Sequence, residues 1–156
     1  MQVTMDEFDK KILTILQEDA GRPLAEIAKQ VGLSSTPCWR RIRLLEEAGV
    51  IRGRVALLDR GKLNVGVTVF VAVRTNQHNQ EWLERFARAV ESIPEVVEFY
   101  RMAGDVDYLL RVVVPDIAAY DGVYKRLIQK IDLTDVSSSF AMEEMKYTTA
   151  IPLSYA

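Results

Sequence analysis

The sequence contains a single cysteine, Cys38, and a single histidine, His78, among its 156 residues. One cysteine excludes an intramolecular disulfide and a zinc site built from several cysteines. His78 stands in the polar stretch TNQHNQ, and no nucleophile in the pattern pairs with it as Ser-His or Cys-His catalysis requires. We therefore expect no metal site, no cofactor and no enzymatic activity.

Long apolar runs are also missing, although 49% of the residues are hydrophobic. No run approaches the roughly 18 apolar residues that a membrane-spanning helix needs. The opening MQVTMDEFDKK is polar and acidic, unlike a secretory signal. We expect a cytoplasmic protein without membrane association, long enough for one ordinary domain or two small ones.

Positive charge is not in excess over the whole chain, but it is concentrated in one place. The formal net charge is −2, yet residues 39–54 hold five arginines against two glutamates. A local excess of positive charge is what a phosphate-binding surface requires.

Residues 4–50 have the apolar spacing of three short helices. Thr4 and Glu7 form a T-x-x-E pattern, which predicts a capping box at the start of the first helix. The stretch EDAGRP separates the first two helices, and Gly32 is predicted to end the second.

The third helix follows a turn of about four residues that contains glycine, so the second and third helices predict a helix-turn-helix. Any of Ser34, Ser35 or Thr36 is a candidate cap, with Pro37 in the first turn. The side chains predicted to face inward are Trp39, Ile42 and either Leu44 or Leu45.

A helix-turn-helix places the beginning of its second helix against base edges in the DNA major groove. Small hydroxyl residues and arginines there can contact bases and phosphates. The predicted DNA-contacting residues are Ser34, Ser35, Thr36, Pro37, Arg40, Arg41, Arg43, Arg52 and Arg54. The alternative is a small helical bundle with a solvated charged face.

Cys38 lies within the third helix, near its beginning and beside arginines. This position favours a lowered thiol pKa and a redox-sensing role. The commoner interpretation is a small apolar side chain that fills a gap between helices.

The stretch VIRGRVALLD, residues 50–59, has a strand-like pattern that places Arg52 and Arg54 on one face of a ribbon. The polar stretch DRGKLNVG, residues 59–66, contains two glycines and is predicted to be a hinge. The predicted domains are therefore residues 1–60 and residues 65–156.

The second domain has the element order β-α-β-β-α-β of a ferredoxin-like fold. The pattern predicts a strand at VTVFVAVRT, a helix over 79–93, the two strands EVVEFYRMAG and DYLLRVVVP, a helix over 116–131 and a last strand over 135–149. Val69 and Phe70 fall on opposite faces of the first strand, so both faces are predicted to be buried. Two sheets packed together give a dimer, and a dimer suits a helix-turn-helix protein that reads two half-sites.

The turn within AGDVDYLLRV, residues 103–112, has two interpretations. Asp105 and Asp107 suit the backbone geometry of a hairpin turn that precedes Tyr108. The same carboxylates suit an effector pocket, in which they accept from an α-ammonium group while turn N–H groups hold an α-carboxylate. The stretch SSSF, residues 137–140, offers further hydroxyls.

These stretches together resemble the Lrp/AsnC family of bacterial and archaeal transcription regulators. The resemblance is carried by DKKILTILQEDAGRPLAEIAKQVGLSSTPCWRRIRLLEEAGVI, by ALLD, by GDVDYLLRV and by SSSFAMEEMKYTT, and it covers essentially the whole chain. TPCWRRI, EFYRMAGDVDYLLRV and SSFAMEEMKYTT are similar to the branch that senses cysteine and activates a cysteine desulfidase.

The resemblance implies an α+β chain: a winged-type helix-turn-helix of three helices plus a ribbon, then a ferredoxin-like domain that binds an amino-acid effector and forms dimers and octamers. The G-x-x-D-Y motif of the family falls on Gly104, Asp107 and Tyr108, with Met102 and Asp105 adjacent. Another subunit would contribute Ser137, Ser138 and Ser139. Two other functions stay open: a DNA-wrapping architectural protein with low sequence specificity, and an enzyme of amino-acid metabolism.

Overall fold

The computed structural model describes residues 4–156. They form two compact units. One contains residues 4–57 together with 145–156, and the other contains residues 58–144.

The first unit is built from three helices. They are α1 (Glu7–Glu18), α2 (Leu24–Val31) and α3 (Ser35–Glu47). All three bury apolar side chains in one core, including Ile12, Ile27 and Ile42. Gly32 ends α2 in the left-handed conformation, at φ 80°, and its N–H bonds to the last turn. The three predicted helices and the stop at Gly32 are confirmed.

The capping box of α1 differs from the predicted one. Asp6, not Thr4, is the N-cap residue, and its carboxylate accepts from the Asp9 N–H at 3.0 Å. The Asp9 carboxylate accepts in return from the Asp6 N–H at 3.1 Å. The prediction of Thr4 with Glu7 was wrong because a D-x-x-D pattern two residues further on supplies the same reciprocal bonds with charged acceptors.

The buried stripe of α3 also differs from the predicted one. Cys38, Ile42 and Leu45 are buried, at a spacing of about one turn each. Trp39 is 51% exposed, so the prediction that it faces inward was wrong. A stripe through residues 38, 42 and 45 turns position 39 out of the core.

The segment after α3 is extended but does not form the predicted ribbon. The N–H groups of Val50 and Ile51 bond to the carbonyl of Leu45 at the end of the helix. Residues 52–58 are exposed, and within residues 4–156 none of them belongs to a ladder. An extended segment becomes a strand only where a second backbone lies beside it, and residues 4–156 offer none there.

The tail of the chain packs on the first unit. The Ile151 backbone exchanges two hydrogen bonds with the Gln17 side chain, at 2.7 and 3.2 Å. Leu153 packs against the helical core. The predicted second domain, residues 65–156, includes this segment, whereas the structure groups it with the first unit. The DRGKLNVG stretch forms a turn over residues 60–64, and its role as a hinge stays a prediction.

The second unit has the predicted β-α-β-β-α-β order. Its elements are β1 (Val67–Arg74), α4 (Gln80–Glu91), β2 (Val96–Arg101), β3 (Tyr108–Val114), α5 (Ile117–Lys130) and β4 (Asp135–Phe140). The strands form one antiparallel sheet in the order β2-β3-β1-β4. The ferredoxin-like prediction is confirmed.

The last strand is shorter than the predicted span of 135–149. The Ala141 N–H bonds to the Thr68 carbonyl, and strand β4 itself ends at Phe140. Among residues 4–156, the backbone after Phe140 is assigned to no strand, because β1 begins at Val67 and the ladder ends with it.

The two faces of the sheet differ in burial. Val69, Val71 and Val73 are buried and belong to the core that includes residues of α4 and α5. Phe70, on the opposite face, is 40% exposed and pairs in register with Arg111 and Ser139.

Candidate DNA interface and effector turn

The beginning of α3 presents small side chains to solvent. Ser34 occupies the N-cap position in an extended conformation, and its side chain makes no capping hydrogen bond. Ser35, Thr36 and Pro37 follow, and all four residues are exposed. The hydroxyls and the first-turn N–H groups are therefore available to an external acceptor, as at other anion-binding helix ends.

Two of the predicted arginines are exposed and form no ion pair among the described residues. Arg40 and Arg52 are exposed and form no ion pair with any other residue in the described part of the chain. Arg43 lies 3.5 Å from Glu46 and 3.6 Å from Glu47, and Arg54 lies 3.1 Å from Glu46. These exposed pairs are weak and exchange readily for other anions.

The guanidinium group of Arg41 forms ion pairs with two carboxylates of the first unit. Its Nη1 atom lies 2.8 Å from the Asp6 carboxylate and 2.9 Å from the Asp9 carboxylate. Its guanidinium also lies 5.2 Å from the centroid of the Phe8 ring. The hydrogen bonds to Asp9 and Asp6 raise the pKa of Arg41, and the backbone N–H of Asp9 lowers the pKa of Asp6. This geometry does not support the predicted phosphate contact of Arg41.

Cys38 is enclosed by the helical core and has no measurable exposure. Burial raises the pKa of its thiol, and the opposing effect of Arg41 is smaller. The raised pKa is opposite to the one that a redox sensor needs. The structure supports the gap-filling interpretation of this residue.

The turn between β2 and β3 depends on Gly104 and Asp107. Gly104 has φ 121°, a conformation that L side chains rarely adopt. The Asp107 carboxylate accepts from the Thr75 N–H at 2.8 Å, and the Asp107 N–H donates to the Val73 carbonyl at 3.0 Å. Asp105 and Met102 are exposed on the same turn.

Tyr108, predicted to contact an effector, lies in the core instead. It is 6% exposed and packs edge-to-face on Phe86, with the ring centroids 5.1 Å apart. Trp82 and Phe99 complete the aromatic cluster around it. Its ring is therefore a structural support for the turn.

The three serines of β4 do not lie together with the turn in one chain. The hydroxyl of Ser138 is hydrogen-bonded to Tyr120, whereas Ser137 and Ser139 pair with Ala72 and Phe70 on the opposite face. β1 separates β4 from β3, so the two sets are about two strand spacings, roughly 10 Å, apart.

Sequence reasoning missed two structural partners of the predicted residues. Thr75 binds Asp107 across 32 positions, and no local signal indicates that pairing. The Asp6 and Asp9 pair was visible as D-x-x-D, but its contact with Arg41 depends on helix packing.

Residues 4–156 contain no helix that combines the length and hydrophobicity needed to cross a bilayer. The same residues contain no group of three or more histidine, cysteine, aspartate or glutamate side chains arranged to hold a metal ion.

A helix-turn-helix with an exposed second helix, joined to a ferredoxin-like unit, defines a DNA-binding protein with a separate regulatory domain. Comparison with known families agrees. Residues 5–52 match the model of winged helix-turn-helix DNA-binding domains, and residues 68–151 match the Lrp/AsnC ligand-binding domain.

Individual proteins with the same architecture are similar over nearly the whole chain. The glutamate uptake regulatory protein of Zymomonas mobilis is 53% identical over 96% of this chain and 91% of its own length. The crystal structure of an AsnC family transcriptional regulator from Agrobacterium tumefaciens is 67% identical, with a TM-score of 0.94 and coverage of 97% of this chain and 99% of that one. A transcriptional regulator from Neisseria meningitidis, solved as a complex with L-Met, is 36% identical, with a TM-score of 0.92 over 97% of this chain and 99% of that one. The chain belongs to the Lrp/AsnC family of transcriptional regulators.

Proposed function

We propose that this regulator reads its operator with the beginning of α3. The observation that carries this proposal is the exposed N-terminus of α3 at Ser34–Pro37, next to the uncommitted charge of Arg40. Small side chains let the helix approach base edges closely, while its N–H groups donate hydrogen bonds to a phosphate oxygen.

The phosphate contacts are assigned to four arginines. Arg40 and Arg52 have no ion-pair partner to release within the described residues, whereas Arg43 and Arg54 exchange exposed glutamates for phosphate. Arg41 is left out because both of its acidic partners belong to its own unit.

The effector is proposed to be a small amino acid, with cysteine as the first candidate. The relative solved with L-Met supports the chemical class, and the resemblance to the desulfidase-activating branch supports cysteine. In this chain Asp105 is the exposed carboxylate of the turn, and Asp107 already accepts a backbone N–H. We assign Asp105 to the ammonium group of the effector and the N–H groups of the turn to its carboxylate.

Assembly is proposed to proceed through the face of the sheet that α4 and α5 do not cover. Phe70 is 40% exposed there, and Arg111 next to it forms an ion pair with Glu98 at 2.9 Å. A second copy on this face would bury both features in a homodimer, and dimers would assemble into an octamer. The proposed location is the cytoplasm, and no catalytic activity is proposed.

Fluorescence anisotropy on the DNA upstream of the protein's own gene, at fixed salt, tests the function. Each of the twenty amino acids is added in turn under reducing conditions, beginning with cysteine. We expect tight binding and a shift with cysteine. A shift with a different amino acid would overturn the choice of cysteine, and no shift with any would overturn the effector proposal.

Unrelated DNA of the same length is the matched control. Specific readout predicts binding at least about a thousandfold weaker on the control at physiological salt. Equal binding to both would favour a DNA-wrapping architectural protein. Light scattering on the same samples measures whether the protein is a dimer, a tetramer or an octamer.

A further inference from the structure

A cavity of about 330 Å³ opens on the surface of the first unit, away from the effector turn in sequence. Its lining comes from α1, α2, α3, the loop between α1 and α2, and residue 54. The volume lies at the lower end of the range that small-molecule sites occupy.

One part of the lining, called here the floor, consists of apolar side chains. Leu16, Leu24 and Ile42 line it, and the half-exposed indole of Trp39 contributes an aromatic wall. Trp39 is the residue that the buried stripe of α3 turns outward, so its ring is accessible to a ligand beside these aliphatic side chains.

The rim of the cavity is positively charged. Arg22, Arg43 and Arg54 line it together with a single carboxylate, that of Glu46. Glu46 lies 3.1 Å from Arg54 and 3.5 Å from Arg43, so one acidic group is shared between two guanidinium groups. The lining residues themselves therefore carry a formal charge of +2, while Arg22 also lies 3.7 Å from Asp19 and Arg43 lies 3.6 Å from Glu47, outside the lining.

We infer that this cavity binds a small amphipathic carboxylate, with an aromatic or branched aliphatic body on Trp39 and a carboxylate held by the arginines of the rim. A guanidinium group binds a carboxylate through two parallel hydrogen bonds, which gives this site its preference for that anion. Arg43 and Arg54 are also assigned to DNA phosphates, so a bound carboxylate would occupy the same two guanidinium groups as the DNA. The site is independent of the effector turn, and it requires no second subunit.

The test uses the full chain and the probe 4-phenylbutyrate, with the uncharged 4-phenylbutanamide as its matched control. The two tryptophans give two indole signals in a ¹⁵N–¹H spectrum, and Trp39→Phe identifies which belongs to the cavity. Trp82 is 5% exposed in the other unit and serves as an internal reference. For a probe of about a dozen non-hydrogen atoms we expect a dissociation constant on the order of 1 mM.

The expected result is a saturable shift of the Trp39 indole with the carboxylate, no shift of Trp82, and binding of the amide weaker by about tenfold. Arg54→Ala is expected to weaken carboxylate binding by about tenfold, and Arg54→Lys by less. Lys29→Ala removes an exposed cation of the same unit that does not line the cavity, and it should leave binding unchanged.

Equal shifts with the acid and the amide would overturn the inference, because the arginines would then contribute nothing. Equal movement of both indoles, or no saturation up to about 10 mM, would overturn it as well. The comparison of acid with amide uses the unaltered protein, so the inference stays testable even if Arg54→Ala fails to fold.

Discussion

The Nη1 atom of Arg41 lies 2.9 Å from Oδ1 of Asp9, the residue that closes the capping box at the start of α1. The same atom lies 2.8 Å from the Asp6 carboxylate. One guanidinium group thus fastens α3 to the first turn of α1. The candidate DNA surface contains four other arginines. Within residues 4–156, none of these four forms ion pairs with two acidic residues of another helix.

Replacing Arg41 should therefore affect stability more than DNA contacts. Arg41→Ala removes the neutralising charge from two carboxylates, and we expect the free energy of unfolding to fall by about 1 kcal/mol. The slope of log K against log salt should stay that of the unaltered protein. Thermal unfolding followed by circular dichroism measures the first effect, and anisotropy at several salt concentrations measures the second. A shallower salt dependence in Arg41→Ala would show that Arg41 contacts a DNA phosphate.

Arg40 should behave in the opposite way. It is exposed and forms no ion pair within the described chain, so Arg40→Ala should leave the thermal midpoint nearly unchanged. If Arg40 contacts one phosphate, the negative slope of log K against log salt should become shallower by about 0.9. Arg52→Ala is a second variant with the same expectation. Arg41→Ala is the control for both variants, because it should lower stability without changing the salt dependence. An unchanged slope for Arg40→Ala would remove it from the interface.

The two aspartates of the turn should separate sensing from structure. Asp105→Asn keeps the shape of an exposed side chain but removes its charge, so we expect loss of the effector response with unchanged DNA affinity. Asp107→Ala leaves the buried N–H of Thr75 without its acceptor, at a cost of about 1–3 kcal/mol of stability. Effector titrations by anisotropy and thermal midpoints distinguish the two. A full response in Asp105→Asn would contradict the assignment.

The thiol of Cys38 should be nearly inert in the folded protein. It is fully buried, and burial raises its pKa, so the reactive thiolate is scarce and enclosed. Ellman's reagent should label it at least about a hundredfold more slowly than in denaturant. Rapid labelling of the native protein would revive the redox interpretation.

Glu95 should make the second unit sensitive to acid. Its carboxylate accepts from Arg126 at 2.6 Å, and this bond lowers the pKa of Glu95 below its ordinary value of 4.5. A lowered pKa contributes stability that is complete above pH 4.5 and is lost as the pH falls through the pKa of the folded state.

In a Trp39→Phe background, Trp82 fluorescence reports the thermal unfolding of the second unit. Glu95→Gln should lower its midpoint at neutral pH, and the difference should shrink in acid. A constant difference across pH would show that the carboxylate charge is not the cause.

Much of the architecture was predictable because it depends on local patterns. Helix α2 with its stop at Gly32, the turn before α3 and the alternating residues of β1 each need only a few neighbouring positions. The segment 50–59 shows the limit of this approach. Its pattern is that of a strand, yet a strand also needs a neighbouring backbone, which is a property of the tertiary structure.

The candidate sites divide in the same way. The exposed hydroxyls at the beginning of α3 could be expected because they follow the predicted N-cap. The ion pairs of Arg41 with Asp6 and Asp9 could not be expected from the sequence. Its partners Asp6 and Asp9 lie about 35 residues away and meet it only because α1 packs on α3. Tyr108 had to be placed by tertiary structure for the same reason, since its aromatic neighbours come from α4 and β2.

Local patterns in the sequence are enough to establish the order of the elements, the class of each domain and the concentration of arginines, because backbone propensity, hydrophobic period and charge are properties of neighbouring residues. Only the tertiary structure decided which of those charges are available. Arg40 and Arg41 are adjacent in sequence, yet helix packing turns one to solvent and joins the other to two carboxylates. Packing also turned Trp39 out of the core and placed it beside three arginines, because a helix can bury only one stripe of its surface.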